Sequence, residues 1–347
     1  MKEILVIRLS AIGDVLLTTP VLQQLKSQFP EARIHFLVKE QYAEFIAACP
    51  HQDNIITWQK DDTVFTVRQR LAAIAPRFDL VLDLQSNLKS RVLSLLLPAG
   101  AKRRYRKPYF NRLLLVYLKR NRYKVKKKIS ERYLEALTGI AELPLTGRIE
   151  LKCEKLPRDV AKIVQSPTIL IAPGARWATK RWPEEYFVSL ASKLLEKHPV
   201  CHVVWLGGKD EEKTFAFFAE HPYLRRHRKR MHFLSGVLGV GQMVELANHC
   251  SAIVTNDSGL MHLLSASKTP MISLFLSTVE EFGFYPLNDH AQVLAARDIP
   301  CRPCNHKGLP ECPKKHFRCG RELTADQVYL EVAKFLESVK APALQDS

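Results

Sequence analysis

Two short turn motifs constrain the fold of this chain most strongly, because each follows an apolar run and precedes a helix-like pattern. The first, Ser-Ala-Ile-Gly-Asp at residues 10–14, follows the apolar run 4–7. The second, Asn-Asp-Ser-Gly-Leu-Met-His at residues 256–262, follows the apolar residues 252–254. In open parallel sheets, ligands bind at the carboxyl ends of the strands, where helix N-termini present free amides. Two such motifs predict two α/β domains facing one cleft, with a nucleotide in one half and its reaction partner in the other.

The remaining sequence supports a doubly wound α/β architecture in both halves. Strand-like runs alternate with helical patterns, and the alternation restarts at residue 168. In the first half these runs are residues 3–9, 33–38, 53–58 and 79–84. Such alternation is typical of parallel sheets. Residues 141–167, which contain Pro144, Pro157 and Pro167, are interpreted as the connection between the domains, and residues 324–339 as a final amphipathic helix.

Length and composition are compatible with two globular domains. The chain has 347 residues, of which 46% are hydrophobic, so each half has enough apolar side chains for a core. An uninterrupted apolar stretch of about 18 residues, as a membrane-spanning helix needs, does not occur. The N-terminal residues lack the features of a signal peptide, and we therefore expect a cytoplasmic protein.

The positive charge is concentrated rather than spread over the chain. The formal net charge is +17, and 13 Lys or Arg but no acid lie between Lys102 and Lys128; residues 225–230 form a second basic cluster. Concentrated charge favours an anionic partner such as nucleic acid, a membrane face or a phosphorylated glycolipid. Aromatic and apolar residues interrupt the first run, which is typical of segments at membrane interfaces. The alternative is a solvated basic helix face whose apolar side lies in the core.

Four ordered motifs carry a resemblance to a known family. They are residues 10–14, residues 173–183 (Pro-Gly-Ala-Arg-Trp-Ala-Thr-Lys-Arg-Trp-Pro), Gly207-Gly208, and residues 256–262. Together they resemble the bacterial ADP-heptose:lipopolysaccharide heptosyltransferases of glycosyltransferase family nine. The resemblance implies a GT-B fold of two Rossmann-like domains. Residues 1–155 would bind the acceptor glycolipid and residues 167–323 the sugar nucleotide, while residues 324–347 would form a helix crossing back to the first domain.

The candidate catalytic residue of the first domain is Asp14. At the start of a helix an Asp is often only an N-cap, and this is the alternative interpretation. By resemblance, Asp14 is the general base of an inverting single displacement, taking the proton of the acceptor hydroxyl. Six further residues near predicted strand ends are candidates for binding the acceptor: Arg8, Gly13, Gln85, Asn87, Lys89 and Arg91.

The candidate residues of the second domain are suited to a nucleotide diphosphate. Lys180 is the catalytic candidate, because a lysine beside a diphosphate offsets the charge that develops on the leaving group. Arg176 is its companion, since the planar guanidinium fits phosphate. The remaining donor-binding candidates are Ala175 in the same loop, Asp210 for the ribose, Leu238 for the adenine, Asp257 for sugar hydroxyls, Ser258 and Gly259 for the phosphates, and His262.

The sequence also allows predictions about metals, cofactors and alternative functions. Cys301, Cys304, Cys312 and Cys319 have a spacing that allows structural zinc, although unligated thiols are the other interpretation. The resemblance implies no catalytic metal and no cofactor besides the substrate ADP-heptose, with a lipopolysaccharide acceptor at the inner face of the bacterial inner membrane and no nucleic acid partner. The alternatives are a GT-B transferase with another nucleotide sugar and a basic nucleic-acid-binding protein with a zinc module.

Overall fold

The chain divides into two units, each built around a parallel β-sheet. In the computed structural model, unit 1 comprises residues 1–109 and 125–152, and unit 2 comprises residues 110–124 and those from 153 onward. The structure describes residues 1–140 and 147–340, without the side chains of 338–340. Part of the predicted connection, residues 141–146, and the end of the last predicted segment, residues 341–347, therefore lie outside the described residues. The division differs from the predicted one at residues 110–124, which group with unit 2.

Unit 1 contains a five-stranded parallel sheet in the order β3-β2-β1-β4-β5. Its strands are Glu3–Ile7 (β1), Arg33–Lys39 (β2), Asn54–Trp58 (β3), Phe78–Asp83 (β4) and Ala99–Arg104 (β5). Strand β1 lies in the middle, with Ile4 paired to Ile34 on one side and to Leu80 on the other. Its four apolar residues are fully buried, which is why the run lacks the alternation of a strand with one face in water.

Helices alternate with these strands along the chain. They are Ile12–Leu16 (α1), Thr19–Gln28 (α2), Ala43–Ala47 (α3), Val64–Ile74 (α4), Leu88–Leu96 (α5), Tyr109–Tyr117 (α6, of which all but Tyr109 belongs to unit 2) and Ile129–Leu134 (α7). Asn87 caps α5 by accepting a hydrogen bond from the Ser90 amide at 2.9 Å. Side chains of α4 and α5, including Val67, Leu71 and Leu93, pack on β1 and β4 in one core cluster.

Unit 2 contains a six-stranded parallel sheet in the order β11-β10-β9-β6-β7-β8. Its strands are Thr168–Ala172 (β6), His202–Gly207 (β7), Met231–Ser235 (β8), Ala252–Asn256 (β9), Met271–Leu274 (β10) and Ala291–Leu294 (β11). Strands β6 and β9 are adjacent, and all five residues of each are buried. The loops that follow them contain the two motifs predicted to bind the donor, and they leave the sheet at the same edge because the strands are parallel.

The helices of unit 2 follow the same α/β alternation. They are Arg158–Ile163 (α8), Glu184–Lys197 (α9), Glu212–Glu220 (α10), Pro222–Arg225 (α11), Val240–Asn248 (α12), Gly259–Leu264 (α13), Arg318–Arg321 (α14) and Ala325–Lys340 (α15). The predicted final helix is thereby confirmed. Val328, Val332 and Leu336 of α15 lie in the core cluster of unit 2 together with α9. That this segment also returns to the first domain stays a prediction.

The basic run 102–128 does not form one continuous element. Lys102, Arg103 and Arg104 lie in the edge strand β5, a strand that sequence analysis did not predict. Helix α6 buries Leu115 and Val116 against Phe282. Among the described residues, no helix combines the length and the hydropathy that crossing a bilayer demands.

Candidate active site

The carboxylate of Asp14 is held by two side chains of unit 1. Asp14 lies in the first turn of α1, whose N-cap is Ala11, so the interpretation of Asp14 as the N-cap is wrong. Its Oδ1 accepts hydrogen bonds from the Arg8 guanidinium at 2.7 Å and from the Tyr133 hydroxyl at 2.9 Å. Of the described residues, none donates to Oδ2, and the side chain is 24% exposed. One oxygen is therefore fixed while the other is accessible.

The Arg8 guanidinium is itself fixed in place. It donates to the carbonyl of Ser10 at 2.9 Å and to that of Leu84 at 2.7 Å, and it lies over the Tyr133 ring. Burial, the largest single influence, would lower the pKa of Arg8, but the charge and hydrogen bond of Asp14 together with Tyr133 and Tyr105 outweigh it, so the pKa is raised. Arg8 is thus a permanent cation that orients the carboxylate.

Tyr133 is the residue of this site that sequence analysis missed. It lies 119 residues after Asp14, on α7, and packs edge-on against Tyr105. Burial raises the pKa of Tyr133 well above 10, and although Arg8 acts in the opposite direction, the Asp14 charge adds to the increase. The hydroxyl therefore remains a hydrogen-bond donor at physiological pH. No sequence signal marked it, because only the fold brings α7 to the end of β1.

The other acceptor candidates have different surroundings. Gln85 supports the motif turn, since its Oε1 accepts from the Leu9 amide at 3.0 Å, and Asn87 is the N-cap of α5. Lys89 is exposed. Gly13 lies within α1 beside Asp14, and Arg91 lines a pocket together with Arg132. Only Arg8 and Gly13 of the six therefore lie at Asp14, while Gln85 supports the turn after β1 and Asn87 holds the start of α5.

The corresponding ion pair of unit 2 joins Lys180 to Asp257. Lys180 ends a short 3₁₀ turn, Ala178–Lys180, and its Nζ lies 2.6 Å from Asp257 Oδ2. The same oxygen accepts a hydrogen bond from the Thr278 hydroxyl at 2.6 Å. Asp257 is 5% exposed and Lys180 is 15% exposed. Sequence analysis named both charged residues but not their contact, and it missed Thr278.

A buried asparagine connects the two motif loops of unit 2. The Asn256 side chain donates to the carbonyl of Pro173 at 2.6 Å and accepts from the Trp182 amide at 3.2 Å. Both loops are thereby fixed at the ends of β6 and β9. Ser258 is the N-cap of α13, and its hydroxyl accepts from the Met261 amide at 3.4 Å. Gly259 begins that helix, and His262 is buried within it.

The remaining donor-binding candidates differ in how far they are exposed to solvent. Ala175 is buried and Arg176 is exposed, with its guanidinium over the Trp177 ring. Asp210 is exposed, whereas its neighbour Glu211 is half-buried. Leu238, half-buried, lies in the loop between β8 and α12.

Glu211, the neighbour of Asp210, is the acid whose side chain turns back to the loop after β7. It accepts from the Gly208 amide at 2.8 Å, and its Oε1 lies so close to Gly174 that a Cβ there would clash with it. Burial raises the pKa of Glu211. The signal that could have found it is its place three residues after Gly208, from where a side chain reaches back to the start of the turn.

The late cysteines lie near one another in unit 2. Cys301 Sγ is 3.9 Å from His316 Nε2, and Cys304 donates to the Cys301 carbonyl at 3.6 Å. Burial, strengthened by the neighbouring thiols, raises the pKa of Cys319 to about 12. In the part of the chain that is described, no three His, Cys, Asp or Glu side chains are arranged to hold a metal ion. Structural zinc and unligated thiols both stay open as interpretations.

Two Rossmann-like units, each built on a parallel sheet, are the architecture of the GT-B class of glycosyltransferases. The model of "Glycosyltransferase family 9 (heptosyltransferase)" matches residues 64–315, and the chain belongs to this family. It is therefore a glycosyltransferase, and the predicted fold and family are confirmed.

Similar proteins agree with this assignment. The chain is 27% identical to lipooligosaccharide heptosyltransferase 2 of Haemophilus influenzae, over 84% of this chain and 88% of the relative. It is also 27% identical to lipopolysaccharide heptosyltransferase 1 of Pseudomonas aeruginosa, over 94% of this chain and 92% of the relative. The solved structure of the ADP-heptose lipopolysaccharide heptosyltransferase II of Escherichia coli has a TM-score of 0.74, with 22% identity and coverage of 98% of this chain and 100% of that structure.

Proposed function

We propose that this enzyme transfers heptose from ADP-heptose to the inner core of lipopolysaccharide, with inversion at the anomeric carbon and release of ADP. The similar proteins are lipopolysaccharide or lipooligosaccharide heptosyltransferases, and the similar E. coli structure is that of an ADP-heptose enzyme. The observation that carries the mechanism is the Asp14 carboxylate, fixed at Oδ1 by Arg8 and Tyr133 and accessible at Oδ2.

Asp14 acts as the general base in this proposal. Its Oδ2 takes the proton of the acceptor hydroxyl while that oxygen forms a bond to the anomeric carbon of the donor. The bond between this carbon and the ADP oxygen breaks in the same step, so the configuration inverts and the electron pair leaves with ADP. A positioned base contributes about 10²- to 10⁴-fold to such a step. Because Arg8 and Tyr133 hold one oxygen, the base is already oriented before the acceptor binds.

Lys180 stabilises the departing diphosphate. Its Nζ is held by a buried carboxylate, and the remaining ammonium donors are free to meet phosphate oxygens. Arg176, exposed in the same loop, and the amides of Ser258 and Gly259 are the further phosphate contacts that we propose. This scheme uses no catalytic metal, because the lysine and arginine supply the positive charge.

The nucleoside end of the donor lies on the loops after β7 and β8 in our proposal. Glu211 accepts the ribose hydroxyls, in the way that an acidic residue does in dinucleotide-binding folds. Asp210 is too exposed to be the main contact of the ribose. Leu238 packs on the adenine. Ala175 and His262 also line the donor site, while Asp257 and Thr278 orient Lys180.

The acceptor's location suggests contact with the cytoplasmic face of the inner membrane. Helix α6 has one side in the core and exposes Tyr109, Phe110, Leu113 and Tyr117 on the other. Arg112 lies within the helix and further basic residues follow it. Aromatic side chains beside Lys and Arg are typical of proteins that bind the surface of anionic membranes. We propose peripheral attachment through this face.

Release of ADP tests the proposed function directly. Purified enzyme is incubated with ADP-heptose, with and without a heptose-deficient lipopolysaccharide, and the anomeric configuration of the product is determined by NMR. Acceptor-dependent ADP release with an inverted product is the expected result. Binding of ADP without turnover would indicate another sugar or acceptor, and the absence of ADP binding would contradict the assignment of unit 2 as the donor-binding half.

A further inference from the structure

One loop of unit 2, residues 301–309, has no part in the proposed chemistry but is bonded to the turn that contains Lys180. The Leu309 amide donates a hydrogen bond to the Thr179 hydroxyl at 2.8 Å. In return, the Thr179 amide donates to the Leu309 carbonyl at 3.2 Å. Thr179 directly precedes Lys180 in the 3₁₀ turn. The loop and the turn are therefore joined by reciprocal hydrogen bonds.

Thr179 has no hydrogen-bonding group left for a ligand. The residue is 3% exposed. Its hydroxyl donates to the Leu309 carbonyl at 3.2 Å and accepts from the Leu309 amide and from the Ser277 hydroxyl, the latter at 3.0 Å. A hydroxyl has one donor and two acceptor positions, so these three bonds fill its capacity. The side chain therefore holds the backbone of the turn.

The 301–309 loop is itself anchored near its start. Lys119 Nζ donates to the carbonyls of Cys301 at 2.9 Å, Pro303 at 2.7 Å and Val116 at 2.8 Å. The Cys304 amide donates to the carbonyl of Ser277, at 3.3 Å. A lysine ammonium has three donors, and in Lys119 each has a carbonyl. This cation of the basic run thus fixes the backbone of the loop.

The same loop also supports the carboxylate that pairs with Lys180. The Arg302 guanidinium donates to the carbonyls of Phe275 at 3.0 Å and Thr278 at 2.7 Å. The hydroxyl of Thr278 is the group that donates to Asp257. One loop therefore holds the backbone on both sides of the ion pair between Lys180 and Asp257.

The turn of Lys180 is too short to fix its own direction. It contains three residues, Ala178–Lys180, and the Lys180 amide donates to the Trp177 carbonyl at 2.9 Å. A 3₁₀ segment of this length has few hydrogen bonds of its own. The backbone position of Lys180 therefore depends on what holds Thr179. Misplacing a catalytic group by about 1 Å can cost about 10²-fold in rate.

We propose that Thr179 is a positioning residue for Lys180, held by the 301–309 loop so that the ammonium meets the β-phosphate of the leaving ADP. Thr179 itself does not touch the donor. This inference rests on the proposed function, because it explains how the cation of the donor site is held in place. Its signature is an effect that exists only while Lys180 is present.

Steady-state kinetics of Thr179→Val test the proposal, since valine keeps the shape and removes the hydroxyl. We expect kcat/KM for the donor to fall about tenfold, and Thr179→Ser to stay within about twofold of wild type. The matched control is Thr269→Val. Thr269 is buried ahead of β10, and its hydroxyl donates to the Ala247 carbonyl at 2.5 Å. The control should lose thermal stability but keep its activity. Wild-type kinetics in Thr179→Val, or an equal loss in the control, would overturn the proposal.

A double-mutant cycle separates positioning from a general loss of structure. If Thr179 acts through Lys180, adding Thr179→Val to Lys180→Met should change kcat/KM by less than about twofold. A further tenfold loss in that background would show that Thr179 serves the fold or the donor directly, and would refute the proposal. Should Thr179→Val not fold, Ser277→Ala removes one hydrogen bond to the same hydroxyl, with an expected loss of about threefold.

Nucleotide binding distinguishes this proposal from the proposed function. ADP and AMP, which lacks the β-phosphate, are titrated into wild type, Thr179→Val and Thr269→Val by calorimetry. Thr179→Val alone should weaken ADP binding about three- to tenfold and AMP binding by less than about twofold, even if the wild type transfers no heptose. Equal weakening of both nucleotides, or unchanged ADP affinity, would refute the positioning role. A wild type that binds neither nucleotide would contradict the donor assignment of unit 2 and both proposals with it.

Discussion

Each unit pairs a carboxylate with a cation beyond the carboxyl ends of its strands, but with opposite exposure. In unit 1 the cation Arg8 is 7% exposed and the carboxylate Asp14 is 24% exposed. In unit 2 the carboxylate Asp257 is 5% exposed and the cation Lys180 is 15% exposed. In each pair the more buried partner orients the more accessible one. An accessible carboxylate is suited to take a proton, and an accessible ammonium is suited to hold a phosphate.

Asp14→Asn has the largest expected effect, because it removes the base but keeps the shape and the partners of the side chain. We expect kcat for acceptor-dependent ADP release to fall about 10²- to 10⁴-fold, with unchanged ADP affinity. Asp61→Asn, at an exposed carboxylate of the same unit, is the control. If Asp14→Asn kept more than a tenth of the wild-type rate, the exposed carboxylate of unit 1 would not be the base.

Lys180→Met tests the other half of the comparison. We expect kcat/KM for the donor to fall about 10²- to 10³-fold, because the leaving diphosphate loses its cation. The variant also leaves the Asp257 carboxylate buried without its lysine, which is destabilising. The double variant Lys180→Met with Asp257→Asn removes that buried charge. Recovery of thermal stability without recovery of activity is expected, whereas recovery of both would assign Lys180 a structural role.

Glu211→Gln compares the half-buried acid of unit 2 with its exposed neighbour. The loss of a charged acceptor for ribose hydroxyls should raise the donor KM about tenfold. Asp210→Asn, one residue away and exposed, should leave it within about twofold. The measurement is donor KM at saturating acceptor. A larger effect of Asp210→Asn would restore the original prediction from sequence.

Tyr133→Phe measures how much the second hydrogen-bond partner of Asp14 contributes to orienting the carboxylate. One hydrogen bond is lost while the Arg8 contact and the packing against Tyr105 remain, so kcat should fall about three- to tenfold. Tyr105→Phe retains both hydrogen bonds to Asp14 and serves as the control. Wild-type kcat in Tyr133→Phe would show that Arg8 alone orients the carboxylate.

His306 in unit 2 should contribute a pH dependence to the stability of the protein. Burial first, and then the charges of Arg112, Lys307 and Lys180, lower the pKa of His306 to about 4. The unfolded chain takes up this proton near pH 6.5. The free energy of unfolding therefore decreases as the pH is lowered from about 6.5 to about 4.

His306→Gln should make that decrease shallower, which urea unfolding at several pH values will measure. His290→Gln, at an exposed histidine, should follow the wild-type curve. Parallel curves for wild type and His306→Gln would contradict the assigned shift. This is the smallest of the five effects, because half-exposed groups are partly screened by water.

Several residues of the site were predictable because the local sequence suffices to place them. A fully apolar run followed by a turn and a helix predicts a buried parallel strand, and this correctly placed Asp14 after β1 and Asp257 after β9. Strand β5 was not predicted, because Ala-Gly-Ala-Lys-Arg-Arg has neither apolar alternation nor strand propensity. It forms a strand because β4 offers an unpaired edge, and Lys or Arg are tolerated at edges.

The two α/β halves, the motif residues at their strand ends and the concentration of positive charge can all be predicted from the amino-acid order. The packing of the elements sets which side chains meet: Tyr133 with Asp14, Thr278 and Lys180 with Asp257, and the arginines of three elements around one pocket. It also decided which partner of each ion pair is buried. The reason is physical: strand and helix patterns are local, whereas contacts between residues far apart in the chain and access to water arise only when the elements pack.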